Sequence, residues 1–374
     1  MKKLFAHTDL EIALLTRSHK THPPAGGPNS IFNIPIVIGT HALLQDKINF
    51  KKIGLLVIDE QHRFGVKQRQ ALLRGQTQTE TQTNADRSQR QSVSSPLESV
   101  KVVPHLLSMT ATPIPRTLAL AFYGDLDISR IAELPSGRKK VITRLVAPEN
   151  RAVAYEFIRK ELARGRQAYV IVPLVEETDG EKKSVATETE KLRKIFPEFA
   201  VSMLHGRMDG GEKKQVMEDF KSNQTQILVS TTVVEVGVDV PNATIIIIEN
   251  AERFGLSTLH QLRGRVGRGK WQSLCILFTE SVSETTRSRL EAVVKSNDGF
   301  ELAEIDLKLR GAGEMLGARQ SGYIPFKIAS LSDTKLIETA KAEALDLLAQ
   351  DPMLSGHPKL AQKVNEISRE AHLE

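Results

Sequence analysis

Two adjacent carboxylates close an apolar run in "LLVIDEQHRFGV" (55–66), and their types and position could do chemistry. Asp59 and Glu60 stand where a strand would end, and in an α/β sheet ligands gather beyond the carboxyl ends of the strands. Paired acids there can hold a hydrated magnesium ion and orient a water toward a terminal phosphate. A solvated strand end can carry the same pair, so its neighbours decide. "LLSMTATPIPRTLA" (106–119) ends the next apolar run on Thr110 and Thr112, small hydroxyls able to hydrogen-bond to acids. "STTVVEVGVDVPNA" (230–243) offers another strand end followed by Gly237 and Asp239. In "HQLRGRVGRG" (260–269) the spacing of Arg265 and Arg268 predicts both guanidiniums on one side of a helix start. Arginines so placed can neutralise charge on a transferring phosphoryl group.

The elements that must position these residues are apolar runs at wide spacing: 12–16, 35–40, 53–59, 105–111, 168–175, 226–231, 243–250 and 274–279. Nearly all are continuously apolar, as expected of parallel strands covered on both faces. Helical patterns lie between several of them. Residues 151–164 set Val153, Phe157, Ile158 and Leu162 on one stripe behind Asn150 as cap, with Gly165 as stop signal. Residues 212–221 repeat the pattern with Val216, Met217 and Phe220. Strand and helix in alternation predict an α/β fold. The polar stretch 75–99 buries too little to fold and reads as a disordered insertion. A domain boundary is expected near "ELPSGRKK" (133–140), and helical, charged sequence follows from about residue 285.

The chain's 374 residues give room for two domains and a small third. No run reaches the roughly 18 apolar residues of a membrane span, and the first residues hold no secretory signal, so the expected compartment is the cytoplasm. The single cysteine, Cys275, excludes a disulfide within the chain and a cysteine-based zinc site, and is expected to be a buried structural thiol. The net charge of +6 permits a polyanionic partner without demonstrating one.

Taken in order, "VIDEQH", "SMTATPIPRT", "STTVVEVGVDVPNA" and "QLRGRVGR" resemble motifs II, III, V and VI of superfamily 2 helicases. "DEQHRFGVKQRQAL", "MTATPIPRTLALAFYGDLDISRIAELPSGRK" and "FELAEIDLKLRGAGEMLGARQSG" narrow the resemblance to the RecG helicases, which move on duplex DNA and remodel replication forks and Holliday junctions in recombination and repair. The transcription-repair coupling factor shares "TATPIPRTL", but "YGDLD" followed by "LPSGR" favours the RecG type. The resemblance implies two RecA-like parallel-sheet motor domains, residues 1–136 and 137–285, followed by a helical translocation hairpin at 286–374. It implies ATP and Mg2+ as cofactors, branched or duplex DNA as partner, a monomeric motor and no membrane.

Carried over residue by residue, the resemblance gives Asp59 the magnesium, through water, and Glu60 the hydrolytic water. Gln61 and His62 would couple the nucleotide to the second domain, and Thr110 and Thr112 would link hydrolysis to movement. Gly237, Asp239 and Gln261 would approach the nucleotide, with Arg268 as arginine finger and Arg265 beside it. Thr40, His41, His205, Arg207, Thr231 and Thr232 would face DNA, and Arg310, Glu314 and Gln320 would form the translocation lever. No G-x-x-x-x-G-K-[ST] loop occurs in the sequence, and Arg17 stands where the family usually has glycine. The expectation is therefore a portion of the motor with impaired ATPase and exposed apolar surface on its first sheet, either a truncated product or fragment, or half of a split motor whose N-terminal part a separate chain would supply. A non-catalytic module holding duplex DNA and a motor acting on RNA are the alternatives.

Overall fold

The computed structural model describes residues 10–16, 31–32, 35–40, 43, 49–50, 53–60, 104–111, 127–129, 131, 133, 137–174, 180–232, 239–281, 283–310 and 333–372. They fall in two compact units, 1–111 and 112–374. The expected insertion at 75–99 lies outside the described residues.

In the first unit, β1 (Ile12–Leu15) pairs with β3 (Ile36–Gly39), β2 (Ile31–Phe32) with β4 (Asn49–Phe50), and β5 (Leu55–Asp59) with β6 (His105–Met109), all parallel. The expectation of strands buried on both faces fails for β5 and β6. Ile58 is buried, but Leu55, Val57, Leu107 and Met109 are 41–59% exposed. The physical reason is that these strands pair two by two, so each described strand has one described neighbour.

The second unit is built on six parallel strands in the order β7-β12-β11-β8-β10-β9, with β7 at Ile142–Val146, β8 at Gln167–Ile171, β9 at Val201–Leu204, β10 at Ile227–Ser230, β11 at Ala243–Ile248 and β12 at Leu274–Phe278. All six residues of β11 are buried. Alternate side chains serve two cores: Ile246 and Ile248 join Tyr169, Leu228 and Leu277 on one face, while Ile245 and Ile247 join Val170, Val229 and Phe278 on the other. Strands β7 and β9 were not expected. "VITRLV" is interrupted by the adjacent polar residues Thr143 and Arg144 and lies at the sheet edge, and "VSML" is too short to stand out.

Helix α1 (Arg151–Ala163) follows the expected bounds, yet its buried stripe differs. Ile158 and Leu162 are buried, whereas Val153 is 71% and Phe157 47% exposed. The stripe turns instead through Ala154 and Tyr155, whose ring meets Phe196 and Phe278 edge-on at 5.7 Å. Asn150 stands at the cap position without a side-chain cap bond, and Gly165 ends the helix at φ +81°, a conformation that favours glycine. Arg151 sits over the Phe278 ring and makes a two-point ion pair with the buried Glu249, at 2.9 and 3.2 Å. Helices α2 (Gly180–Ile195), α3 (Gly210–Lys221) and α4 (Leu256–Arg263) complete the covering layers. On α3, Phe220 is buried and Val216 and Met217 pack beside the core, as the spacing predicts.

From residue 284 onward the described residues form four helices: α5 (Glu284–Lys295), α6 (Gly299–Arg310), α7 (Thr334–Gln350) and α8 (Pro358–His372). Among the described residues no helix is long and apolar enough to cross a membrane. The first of these helices, α5, is tied to α4 by a buried charge. Arg263, 3% exposed, donates from Nη1 to the carbonyls of Val293 and Ser296, both at 2.8 Å, and from Nη2 to His260 Nδ1 at 3.0 Å. A cation at the C-terminal end of α5 also meets the favourable end of that helix's dipole. Because guanidinium has no acceptor, His260 Nδ1 accepts, and protonating it would break the bond. Burial, reinforced by Arg263, pushes the imidazole from its ordinary 6.5 down to about 4.

Replacing Arg263 by leucine should cost roughly 2–5 kcal/mol, measured by denaturant unfolding, because two buried carbonyls lose a charged donor. The unfolded imidazole protonates before the folded one, so the His260 contribution is present above pH 6.5 and is lost as pH falls toward 4. Stability should drop on the order of 2–3 kcal/mol across that window, and His260→Gln should flatten the slope.

Candidate functional site

In the first unit the acidic pair lies at the carboxyl end of β5, with Asp59 its last residue and exposed. Glu60 follows at φ 52°, a left-handed conformation that costs a non-glycine residue about 1–2 kcal/mol. The chain therefore turns sharply between the two carboxylates. Parallel register sets Asp59 beside Met109, so Glu60 and Thr110 are the first residues past two adjacent strand ends. This is the neighbourhood expected for the threonine of "SMTAT". Thr40 holds the corresponding place beyond β3, donating its backbone N–H to Leu15 at 3.3 Å. Gly39 before it leaves no room for a side chain: a Cβ would lie 2.3 Å from the Leu15 carbonyl oxygen and 2.6 Å from Leu43 Cγ. Gln61, His62, His41 and Thr112 lie outside the described residues. Among the described residues no group of three His, Cys, Asp or Glu side chains could hold a metal ion. A lone exposed carboxylate at a strand end is the kind of ligand compatible with a magnesium ion held mainly by water and phosphate oxygens.

In the second unit the two arginines stand in a different place from the one their spacing predicts. Helix α4 ends at Arg263, so Arg265 and Arg268 occupy the loop after a helix end rather than a helix start. The physical reason is glycine: Gly264 caps the helix, and Gly267 at φ +80° turns the chain out of it. The loop still brings the expected residues together. Arg268 Nη1 lies 3.9 Å from Asp239 Oδ1, joining the ends of the "VGVDV" and "RGRVGR" segments. Both arginines and Asp239 act electrostatically on Tyr169, whose hydroxyl burial pushes up to about 12 while the arginines pull it down. The Arg268–Asp239 pair is partly exposed and adds little stability, so it positions more than it stabilises.

Arg138 clamps this loop, and sequence reading missed it. Its Nε donates to the Gly267 carbonyl at 3.0 Å and its Nη2 to the Gly264 carbonyl at 3.4 Å. A Cβ on Gly267 would lie 2.8 Å from Val141 Cγ2, so the segment bearing Arg138 and the arginine loop are packed face to face. The available signal was the basic run "SGRKK", read as a boundary and as part of the family resemblance but not as a contact to the arginine loop.

Of the remaining residues, Thr231 is buried just past β10, Thr232 follows it, and His205 is buried just past β9. Arg207 is exposed in the turn that Asp209 closes by capping α3, accepting from Gly211 N at 2.6 Å and Glu212 N at 3.0 Å. Gln261 lies on α4. Gly237, Glu314 and Gln320 lie outside the described residues, and Arg310 is the last residue of α6. Cys275 is fully buried, with burial pushing its thiol up to about 12, as a structural thiol requires.

Three family models match along the chain: the DEAD/DEAH box helicase model at residues 1–120, the helicase conserved C-terminal domain at 150–270, and domain 3, C-terminal, of ATP-dependent DNA helicase RecG at 296–370. The chain is 48% identical over 360 residues to ATP-dependent DNA helicase RecG of Synechocystis, covering 95% of this chain and 40% of that protein. It is 46% identical to the RecG of Bacillus subtilis over 358 residues, covering 93% of this chain and 48% of that protein. A solved structure of RecG bound to a three-way DNA junction matches at a TM-score of 0.62 and 40% identity, covering 90% of this chain and 41% of that chain. The chain thus spans between two fifths and one half of the length of these relatives. By motif order, sequence identity and fold, the chain is similar to the RecG helicases, with parallel-sheet α/β domains that match helicase family models and a helical C-terminal region.

Proposed function

We propose that this chain forms motor machinery of a RecG-type ATP-dependent DNA helicase that remodels branched DNA, with ATP and Mg2+ as cofactors. The observation that carries this reading is the arginine loop, in which Arg268 stands beside Asp239 and Arg138 holds the Gly264 and Gly267 carbonyls that flank Arg265. Preorganised cations of this kind can stabilise charge on a transferring phosphoryl group without reorganising during the reaction. Asp59 and Glu60 would supply the magnesium and water from the first unit. Thr40, Thr231, Thr232, His205 and Arg207 would face DNA, and the helices after residue 285 would transmit the stroke. The relative bound to a three-way junction supports a branched DNA partner. In this reading the motor domains are 1–136 and 137–285, and the motor is a cytoplasmic monomer.

A second reading has its own observation. The 374 residues contain no G-x-x-x-x-G-K-[ST] loop, and positioning of the phosphates supplies most of the catalysis in phosphoryl transfer. The chain alone would then be a non-catalytic module that holds duplex DNA without turning over ATP.

The purified chain should bind a three-way junction with affinity that falls steeply with salt, retain that binding in Asp59→Ala, and hydrolyse ATP no faster than its Glu60→Gln variant. Robust DNA-stimulated hydrolysis abolished by Glu60→Gln would show instead that the chain is a motor by itself. Arg138→Ala should lower the thermal midpoint by about 2–4 °C, as about 1 kcal/mol of loop bonding is lost, while leaving junction binding intact.

A further inference from the structure

The loop that leaves the arginine cluster returns to β12 through the chain's single tryptophan, Trp271, which is 44% exposed. Arg166 stacks on this ring with its guanidinium carbon 3.7 Å from the centroid, and Lys270 Nζ lies 5.1 Å from it. The stack is anchored from below. Arg166 Nη1 donates to Asn242 Oδ1 at 3.3 Å, and Asn242 Nδ2 donates to the Gly165 carbonyl at 2.7 Å and to Gln167 Oε1 at 3.1 Å. Gln167 is itself fully buried and donates to the Thr225 carbonyl at 2.8 Å. On the other side, Gln272 Nε2 holds the Lys140 carbonyl at 2.8 Å, which keeps the exposed Lys139 and Lys140 next to Trp271. Gly269 lies flat on Pro241, where a Cβ would be 2.4 Å from the carbonyl oxygen.

This surface sets an exposed aromatic ring beside four cations, and among the described residues none of Lys139, Lys140, Lys270 and Arg166 is in an ion pair. Within the second unit it is separate from Thr231 and His205, assigned above to DNA. It lies at the amino ends of β8, β11 and β12, whereas Thr231 and His205 follow the carboxyl ends of β10 and β9. We propose that Trp271 with Lys139, Lys140, Lys270 and Arg166 forms a binding site for a single nucleic-acid strand, the ring stacking a base and the cations contacting the flanking phosphates. Base stacking on an aromatic side chain accepts any base, and lysines beside it add affinity by releasing counterions. A fixed ring loses little freedom on binding, and the Arg166 stack and its amide anchors hold it in place.

The single tryptophan reports on the site directly. Titrating the full chain with oligothymidylate should quench Trp271 fluorescence to saturation, with a midpoint that weakens as salt rises. In fluorescence anisotropy with labelled oligothymidylate, Trp271→Ala should weaken binding roughly tenfold, with Trp271→Phe restoring most of it, and Lys139→Glu with Lys140→Glu should weaken binding and flatten the salt dependence. Circular dichroism melting checks that each variant folds. The proposal is overturned if oligothymidylate leaves the fluorescence unchanged, if ATP quenches as strongly at equal phosphate concentration, or if polyglutamate competes as well as the oligonucleotide. A three-way junction that binds without altering Trp271 would remove this site and leave the motor reading standing. Loss of junction binding with oligothymidylate quenching retained would do the reverse.

Discussion

In a sheet whose strands all run one way, each connection must cross a face before the next strand can begin, and every loop must fall at one of two edges. The six strands of the second unit obey this without exception, and the order β7-β12-β11-β8-β10-β9 puts β11 and β8 at the centre. Their burial on both faces holds the sheet together, since each buried isoleucine of β11 contributes about 1.5–3 kcal/mol relative to exposure. The carboxyl edge then receives Ser230, Thr231 and His205, while the chain returning from β10 and from α4 carries Asp239, Arg265 and Arg268 to a common place. The chemistry-bearing residues meet because parallel pairing leaves the chain no shorter route.

That meeting is stabilised by elements outside the arginine segment. Arg138 reaches the loop carbonyls from more than a hundred residues away, and Val141 leaves room at Gly267 for hydrogen alone. A few residues farther along, the same loop rests on Pro241 and carries Trp271 onto the Arg166 stack. One short glycine-rich segment is thus pinned at both ends, and the stiffness that would orient the arginines toward a nucleotide also fixes the tryptophan. The helix before it is anchored in turn by Arg263, whose buried charge is met by carbonyls at the end of α5. A rigid arginine loop and a docked C-terminal helical pair therefore share one support.

Much of this was legible in the residues. The apolar runs located eight of the strands, for the central strands of the second unit because a strand covered on both faces must be apolar throughout, and the motif series pointed to the relatives that the chain resembles. Cys275 in "SLCILFT" could only be buried. The pattern misled where burial depends on a neighbour. Val153 and Phe157 have the spacing of a buried stripe, yet the Tyr155 ring, wedged between Phe196 and Phe278, rolls α1 so that they face outward. The arginine spacing likewise suited a helix, but Gly264 and Gly267 end it first.

The sequence by itself determined the α/β class, the order of the motifs and the residue types at the acidic pair and the arginine loop, since these depend on local composition and periodicity. Only the tertiary structure decided that Arg138 would hold the loop, that Arg263 and His260 would be buried together, and that Arg166 would stack on Trp271. Each of these contacts joins residues far apart in the chain or sets the environment of a charge. Such energies depend on which dipoles and rings lie nearby once the sheet has closed, and no window of sequence contains them.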